Sequence, residues 1–247
     1  MVVRFYTFPP DGIEYPFLLV NPRNYKALFR RKFEHAILDC GVVVFEHNPR
    51  MADYPHGFLE QWKRVARWLT KVFGDRLWVT IPDYPDDYHP GQFGDNVAKT
   101  IRNIEEFIAV DGVNWLPVIQ SRFLDTFSFI ESCGKVRELV GDYPRVAIGT
   151  VCKTKNLRFI KYCCETARAF FPKSWIHAFG LTLNALPNVK DIINSFDSLA
   201  YTFPRGRGRA SCKNLEERKQ YFYRYIECMR KIVEEKSVGR GLGYQGD

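Results

Sequence analysis

The chemistry-bearing residues of this chain crowd most densely between positions 195 and 210, which read SFDSLAYTFPRGRGRA. One carboxylate, Asp197, is followed by Arg205, Arg207 and Arg209 at alternate positions, with Gly206 and Gly208 between them. An aspartate serves as a covalent nucleophile in glycosyl transfer. Arginines on a glycine-rich loop approach phosphate oxygens closely and bind them through forked N–H donors. An acid beside such a loop therefore suits a reaction on a phosphate-bearing polymer. Further acids and amides stand at isolated points upstream: Asp39 in ILDCG, Asp83 in IPDYPDD, and Gln120 in VIQS.

The elements that must hold these residues follow from hydrophobic pattern. Short apolar runs are expected as strands over residues 2–7, 17–20, 36–39, 77–81, 115–120, 145–150, 175–180 and 198–203. Helical periodicity covers 24–33, 57–73, 95–110, 124–140, 154–171, 189–195 and 214–235. In 57–73, for example, Phe58, Trp62, Val65, Leu69 and Val72 recur three or four apart, as one buried helix face requires. Strands alternating with helices imply parallel pairing. Eight such units close naturally into a (β/α)8 TIM barrel, an α/β fold expected here as a single domain over 1–236 with a flexible glycine-rich tail over 237–247. An open doubly wound sheet is the alternative, but no glycine-rich phosphate loop follows the first strand.

Composition agrees with that size of core. The 247 residues are 46% hydrophobic and 15% aromatic, enough for one barrel domain. A net charge of +8 favours a polyanionic partner. Seven cysteines without a CxxC spacing exclude a zinc-finger pattern and an even disulfide framework, which fits a reducing cytoplasm. No signal peptide is expected, and no run approaches the ~18 apolar residues of a membrane span.

In a barrel, chemistry gathers at the carboxyl ends of the strands. Those ends are expected to carry Asp39, Asp83, Gln120, Gly149 with Thr150, and Phe179 with Gly180, with Asp197 at the start of the last strand. An aspartate accepts two N–H donors from one edge of a guanine-like base, a glutamine donates to its carbonyl, and glycines leave room for a flat ring. Each residue also has a plainer role. Asp39 and Asp83 suit turns, Gln120 suits a barrel rim, and His177 suits a hydrogen-bonded core position. His35, His47, His56 and His89 are scattered and form no metal site.

In order along the chain, these segments resemble the tRNA-guanine transglycosylases and their DNA-acting relatives, the 7-deazaguanine DNA transglycosylases. ILDCG with Phe45 resembles the motif carrying the general acid/base, which implies Asp39. IPDYPDD resembles the segment that reads the base edge, implying Asp83, with Asp86 and Asp87 as substitutes. VIQS resembles the valine-glutamine-glycine motif, with Ser121 in place of glycine, and implies Gln120. AIGT and HAFG resemble the pocket-lining segments, implying Gly149, Thr150, His177, Phe179 and Gly180. FDSLAYTFPRGRGR resembles the nucleophile motif and its basic loop, with Phe203 and Pro204 inserted, implying Asp197 and the three arginines.

The family's tRNA enzymes carry a zinc subdomain of three cysteines and one histidine after the nucleophile. Here only Cys212 and Cys228 follow Asp197, and the last histidine is His177, so neither metal nor other cofactor is expected. The archaeal members' additional RNA-binding domain is not expected either. Both departures place DNA ahead of tRNA as the polymer, with a 7-deazaguanine, in the first instance 7-cyano-7-deazaguanine, as the incoming base. The resemblance implies attack by Asp197 on the anomeric carbon, proton transfer by Asp39, stacking by Phe45, Phe179 and Tyr84, and phosphate contacts from Arg205, Arg207, Arg209 and Arg240. Exchange in tRNA or on a free nucleoside, a non-catalytic nucleic-acid-binding barrel, and an unrelated barrel glycosidase remain open alternatives, as does a homodimer.

Overall fold

A computed structural model describes residues 3–41, 53–86, 95–202 and 214–235. Its strands are β1 (Arg4–Tyr6), β2 (Phe17–Val20), β3 (His35–Leu38), β4 (Leu77–Thr80), β5 (Trp115–Leu116), β6 (Val118–Ile119), β7 (Arg145–Ile148), β8 (Trp175–Ala178) and β9 (Ser195–Asp197). The helices are α1 (Phe58–Phe73), α2 (Asn96–Ile108), α3 (Thr126–Val140), α4 (Leu157–Phe170), the short α5 (Leu186–Val189) and α6 (Leu215–Glu234). The chain is an α/β protein whose described strand pairs are all parallel. One sheet runs β1-β9-β8-β7-β6 and the other β2-β3-β4-β5.

The two sheets meet at two seams. At one, Thr7 bridges in parallel to Leu18, with Leu19 N donating to Thr7 O at 2.9 Å. At the other, β5 and β6 are one extended stretch interrupted by Pro117. Its two halves bond to opposite neighbours: Ile81 N donates to Leu116 O at 3.1 Å, and Ala147 N to Pro117 O at 2.8 Å. A proline nitrogen has no hydrogen to donate, so the ladder breaks there.

Strand alternation sorts the apolar residues into two layers. Phe5, Leu18, Leu38, Val79, Val146 and Ile148 join the larger cluster, which also takes the helices' apolar faces. Their chain neighbours Tyr6, Ile37, Trp78 and Ala147 form a second cluster with Leu116 and Val118 on the opposite side. Below it, at the strands' amino ends, Arg145 lies over the Trp78 ring, 4.3 Å from its centroid, and donates to His35 Nε2. Tyr6 Oη lies 3.1 Å from His35 Nδ1. Burial and the cations Arg145 and Arg4 push the His35 imidazole down to about 3. A neutral His35 can accept the guanidinium's hydrogen bond, whereas an imidazolium cannot.

Several expected boundaries shift. The helix expected over 24–33 is a 3-10 segment, Tyr25–Phe29, and the one expected over 189–195 is α5, centred earlier. The largest change concerns the last strand. Residues 198–203 were expected to form it, but the strand is β9, which ends at Asp197 and is followed by a 3-10 turn at Ala200–Thr202. The reason is pairing. Ser195, Phe196 and Asp197 register against Arg4, Phe5 and Tyr6, and Phe196 fills the larger core. Ser198 Oγ then accepts from Ala200 N at 3.2 Å and turns the chain, leaving Leu199 53% exposed despite its β-forming type. The expected tail lies outside the described residues.

A single side chain holds the approach to β9. Arg168 on α4 donates to the carbonyls of Phe171, Pro172, Ser174 and Ile192 and to Asn194 Oδ1, the last at 2.7 Å. Asn194 in turn binds Ile176 N at 2.8 Å, which locks the chain before β9 to β8. Arg168→Met removes these donors from partly buried acceptors, of which Phe171 O keeps a bond from Ser174 N at 3.3 Å, so it is expected to cost about 2–3 kcal/mol in urea unfolding. A loss under about 0.5 kcal/mol would show the network to be dispensable.

Candidate active site

The alternation that builds the second cluster also places the site. Asp39 lies two residues beyond Ile37, Thr80 beyond Trp78, Gln120 beyond Val118 and Gly149 beyond Ala147, while Asp197 registers against Tyr6. Because the strands are parallel, these positions share one face and one set of ends. Asp197 thus stands at the carboxyl end of its strand, with the other candidates, and not at the start of a later one.

The centre of the group is a contact between Gln120 and Asp83. Gln120 Nε2 donates to Asp83 Oδ2 at 2.5 Å, and both residues are buried. The Cys40 thiol donates to Asp83 Oδ1 at 3.6 Å and sits 3.3 Å from Tyr54 Oη. Tyr54 Oη itself donates to Asp83 O at 2.8 Å. Burial and the nearby acids push the Cys40 thiol well up, so it stays protonated and serves as a donor. Burial pushes Asp83 up to about 6, against the pull of the Gln120 and Cys40 hydrogen bonds.

Asp39 completes the acidic group. Part of its surface reaches solvent. Even so, lost hydration and then the neighbouring Asp83 push its carboxyl up to about 7; a Gly41 backbone hydrogen bond pulls the other way, and Asp197 adds a smaller upward push. A carboxylic acid that releases its proton near neutrality is suited to general acid/base work.

Asp197 is held on its other flank. Its Oδ1 accepts from Gly180 N at 2.9 Å and lies 3.3 Å from His177 Nε2. His177 Nδ1 lies 2.9 Å from Ser195 Oγ, which accepts from Trp175 Nε1 at 2.7 Å. Trp175 can only donate, so the Ser195 hydroxyl hydrogen is free to point at His177 Nδ1. That assigns the proton of a neutral His177 to Nε2, where it donates to Asp197. Among the described residues, Asp197 Oδ2 accepts no hydrogen bond and is the oxygen left for chemistry.

Several expected roles change in this geometry. Gln120 was expected to donate to a base carbonyl; one of its two N–H donors is engaged by Asp83, and its unpartnered buried atom is the acceptor Oε1. Both Asp83 oxygens likewise have protein partners. Gly149 and Gly180 were expected to leave space for a ring. A Cβ at Gly149 would instead overlap the Gln120 amide and come 2.9 Å from Val118 Cγ1, and one at Gly180, whose φ is +62°, would overlap Cys152.

Thr150 ties two loops together: Ser121 Oγ donates to Arg122 O at 2.9 Å and lies 2.7 Å from Thr150 Oγ1. Asp86 braces the loop after β6 through Phe123 N at 2.9 Å and is not a substitute for Asp83. Tyr84 is buried, bonded to Asp53, and packed edge-on against Tyr54 at 5.2 Å, which removes it as a stacking platform. Phe179 is half-buried with its ring 4.6 Å from that of His177. Phe45, Asp87, Arg205, Arg207, Arg209 and Arg240 lie outside the described residues.

Sequence reasoning missed Cys40, Tyr54 and the Trp175–Ser195 pair; it placed His177 near the pocket through the resemblance, with a hydrogen-bonded core position as the plainer role, and gave it no contact to Asp197. Cys40 adjoins Asp39 and so was open to notice. The Ser195–His177–Trp175 set depends on β8–β9 register, which no local pattern encodes.

No protein-family model and no curated protein matches the chain significantly. Among solved structures, DHDPS from Cyanidioschyzon merolae with lysine bound aligns at 11% identity and TM-score 0.38, over 73% of this chain and 70% of that one. Dihydrodipicolinate synthase from Aquifex aeolicus aligns at 12% identity and TM-score 0.42, over 94% and 79%. Among the described residues no helix is long and apolar enough to cross a membrane.

Two measurements probe this geometry. The Asp39 carboxyl is raised from the model-peptide 3.8 to about 7. The native state therefore holds a proton that the unfolded chain releases, and stability falls as pH rises through that window. Asp39→Asn is expected to be more stable than the wild type by about 2–4 kcal/mol at pH 8 in urea unfolding, the gap closing by about pH 4. An equal gap at both pH values would contradict the desolvated carboxyl. Separately, 15N spectra of labelled histidine should show His177 protonated on Nε2, and Ser195→Ala should loosen that preference. Nε2 without its proton would contradict the relay.

Proposed function

We propose that the two sheets are arcs of one eight-stranded (β/α)8 barrel, and that the chain is an enzyme exchanging guanine in a nucleic acid for a 7-deazaguanine. Support for the barrel lies in the two seams: counting β5 and β6 as one strand broken by Pro117, the Thr7–Leu18 bridge completes a ring of eight. The observation that carries the reaction is the pairing of unlike acids at one set of strand ends. Asp39 carries a carboxyl raised to about 7, while Asp197 is oriented by two N–H donors with Oδ2 bare.

In this reading Asp197 Oδ2 attacks the anomeric carbon as the bond to guanine N9 breaks, and the Asp39 acid protonates the departing base. Guanine leaves, and a deazaguanine binds. Asp39, now a carboxylate, takes the N9 proton of that base, which attacks the same carbon and displaces Asp197. Two inversions restore the configuration, and one glycosidic bond replaces another without energy input. Asp83 acts behind the contact surface: through Gln120 Nε2 it fixes the amide so that Oε1 can accept from a ring N–H. Extruding the target nucleotide costs a few kcal/mol in a duplex and less in a single strand. The +8 charge favours the polymer. DNA is the polymer proposed first, with tRNA as the alternative.

The test follows label. DNA and tRNA carrying labelled guanine are incubated separately with the protein and unlabelled 7-cyano-7-deazaguanine. Release from DNA is expected, and Asp197→Asn should abolish both release and any covalent polymer adduct. Release from tRNA alone would move the substrate to RNA. No release from either polymer would defeat the reading.

A further inference from the structure

We propose that the rim beside the candidate site is a single-strand nucleic-acid platform built by the β6–α3 and β7–α4 loops and the first residues of the helices that follow them. The inference rests on the reading of a polymeric substrate, and it assigns the flanking contacts to residues that sequence reasoning did not single out.

The two loops leave β6 and β7 directly from Gln120 and Gly149, and the Ser121–Thr150 contact at 2.7 Å joins them. They rise at the same carboxyl ends as Asp39 and Asp197. Large apolar side chains stand exposed there: Phe127 is 79% exposed, the most of any large hydrophobic residue described, and Phe123 and Leu157 are 43% and 42% exposed. Leaving a phenylalanine that bare in water forfeits a burial worth about 1.5–3 kcal/mol. Such residues grouped on one rim mark a contact surface.

Cations accompany them. Arg122 sits between Ser121 and Phe123, and the exposed Lys153, Lys155 and Arg158 occupy the second loop and the start of α4. In the first loop Asp125 caps α3 by accepting from Ser128 N at 3.0 Å, and Asp95 pairs with Arg122 Nη2 at 3.9 Å. Leu124, between Phe123 and Asp125, is held at φ 55°, a conformation costly for a bulky residue and one that clusters at ligand-contacting loops.

Aromatic faces interleaved with cations fit a single strand, whose bases are unstacked and available to rings while its phosphates meet the cations. A duplex hides its base faces and offers the rings nothing. The apolar content separates the surface from a merely solvated basic face.

The test is fluorescence anisotropy of a short labelled single-stranded oligodeoxynucleotide, with the same sequence as duplex and heparin as comparators. All measurements use the full chain carrying Asp197→Asn, so no turnover occurs. Phe127→Ala, at an exposed position and with its melt checked, is expected to weaken single-strand binding about tenfold while leaving heparin unchanged. Lys155→Ala with Arg158→Ala should lower the slope of log K against log salt by about 1.4. Affinity unchanged by Phe127→Ala, or an unchanged salt slope in the double cation variant, would overturn the proposal. So would loss of a dimer in Phe127→Ala with strand binding intact, because the rim would then join two copies of the chain. Strand binding without base exchange would leave this inference standing and defeat the proposed reaction.

Discussion

The site depends on the cost of taking carboxylates out of water. Asp83 and Asp39 lie at neighbouring strand ends where burial raises both, and Asp83 remains tolerable only because Gln120 and Cys40 supply donors to it. That compensation sets the surroundings. The Gln120 amide fits because position 149 has no side chain to occupy the same space. Cys40 is held by Thr80, whose Oγ1 accepts from Cys40 N at 2.7 Å. Tyr54 then closes over both. The acids are thus tuned by neighbours on three strands, and the arrangement stores instability where the proposed chemistry needs a proton near neutrality.

Asp197 is treated differently. It receives an N–H from Gly180 and another from His177, and its share of the rim is built from β8 and β9. The Ser195 hydroxyl and Trp175 indole fix which histidine nitrogen bears the proton. Two acids of one residue type thus sit among different partners, and in the proposed reaction that difference would separate an acid/base from a nucleophile.

Support reaches these residues from far along the chain. Arg168 on α4 secures the segment that becomes β9, so a helix outside the sheet determines where Asp197 points. The His35–Arg145–Trp78 contact at the opposite strand ends fills the interior with a neutral imidazole and a cation lying on an aromatic ring. Neither set touches the candidate site, yet both fix the register that brings it together.

Much of the fold was legible in the sequence, because alternation of period two and helical period near 3.6 are local properties. The face Phe222, Tyr225, Ile226 and Met229 of α6 is buried as its spacing requires. Placing Asp39, Asp83 and Gln120 at strand ends was also legible, since each follows a short apolar run, whereas Asp197 was expected at the entry to a later strand and instead closes β9. The tertiary structure decided what those residues do to one another. Of the segment expected as the last strand, residues 198–202 pair with no described strand, whereas Ser195–Asp197 meets both β1 and β8. The partners of Asp83, the engagement of a Gln120 N–H by Asp83, and the occupied space at Gly149 and Gly180 arise between segments many residues apart. Residue type set which chemistry was available; hydrogen-bond partnership and lost hydration, which exist only once the strands are side by side, set which of it remains.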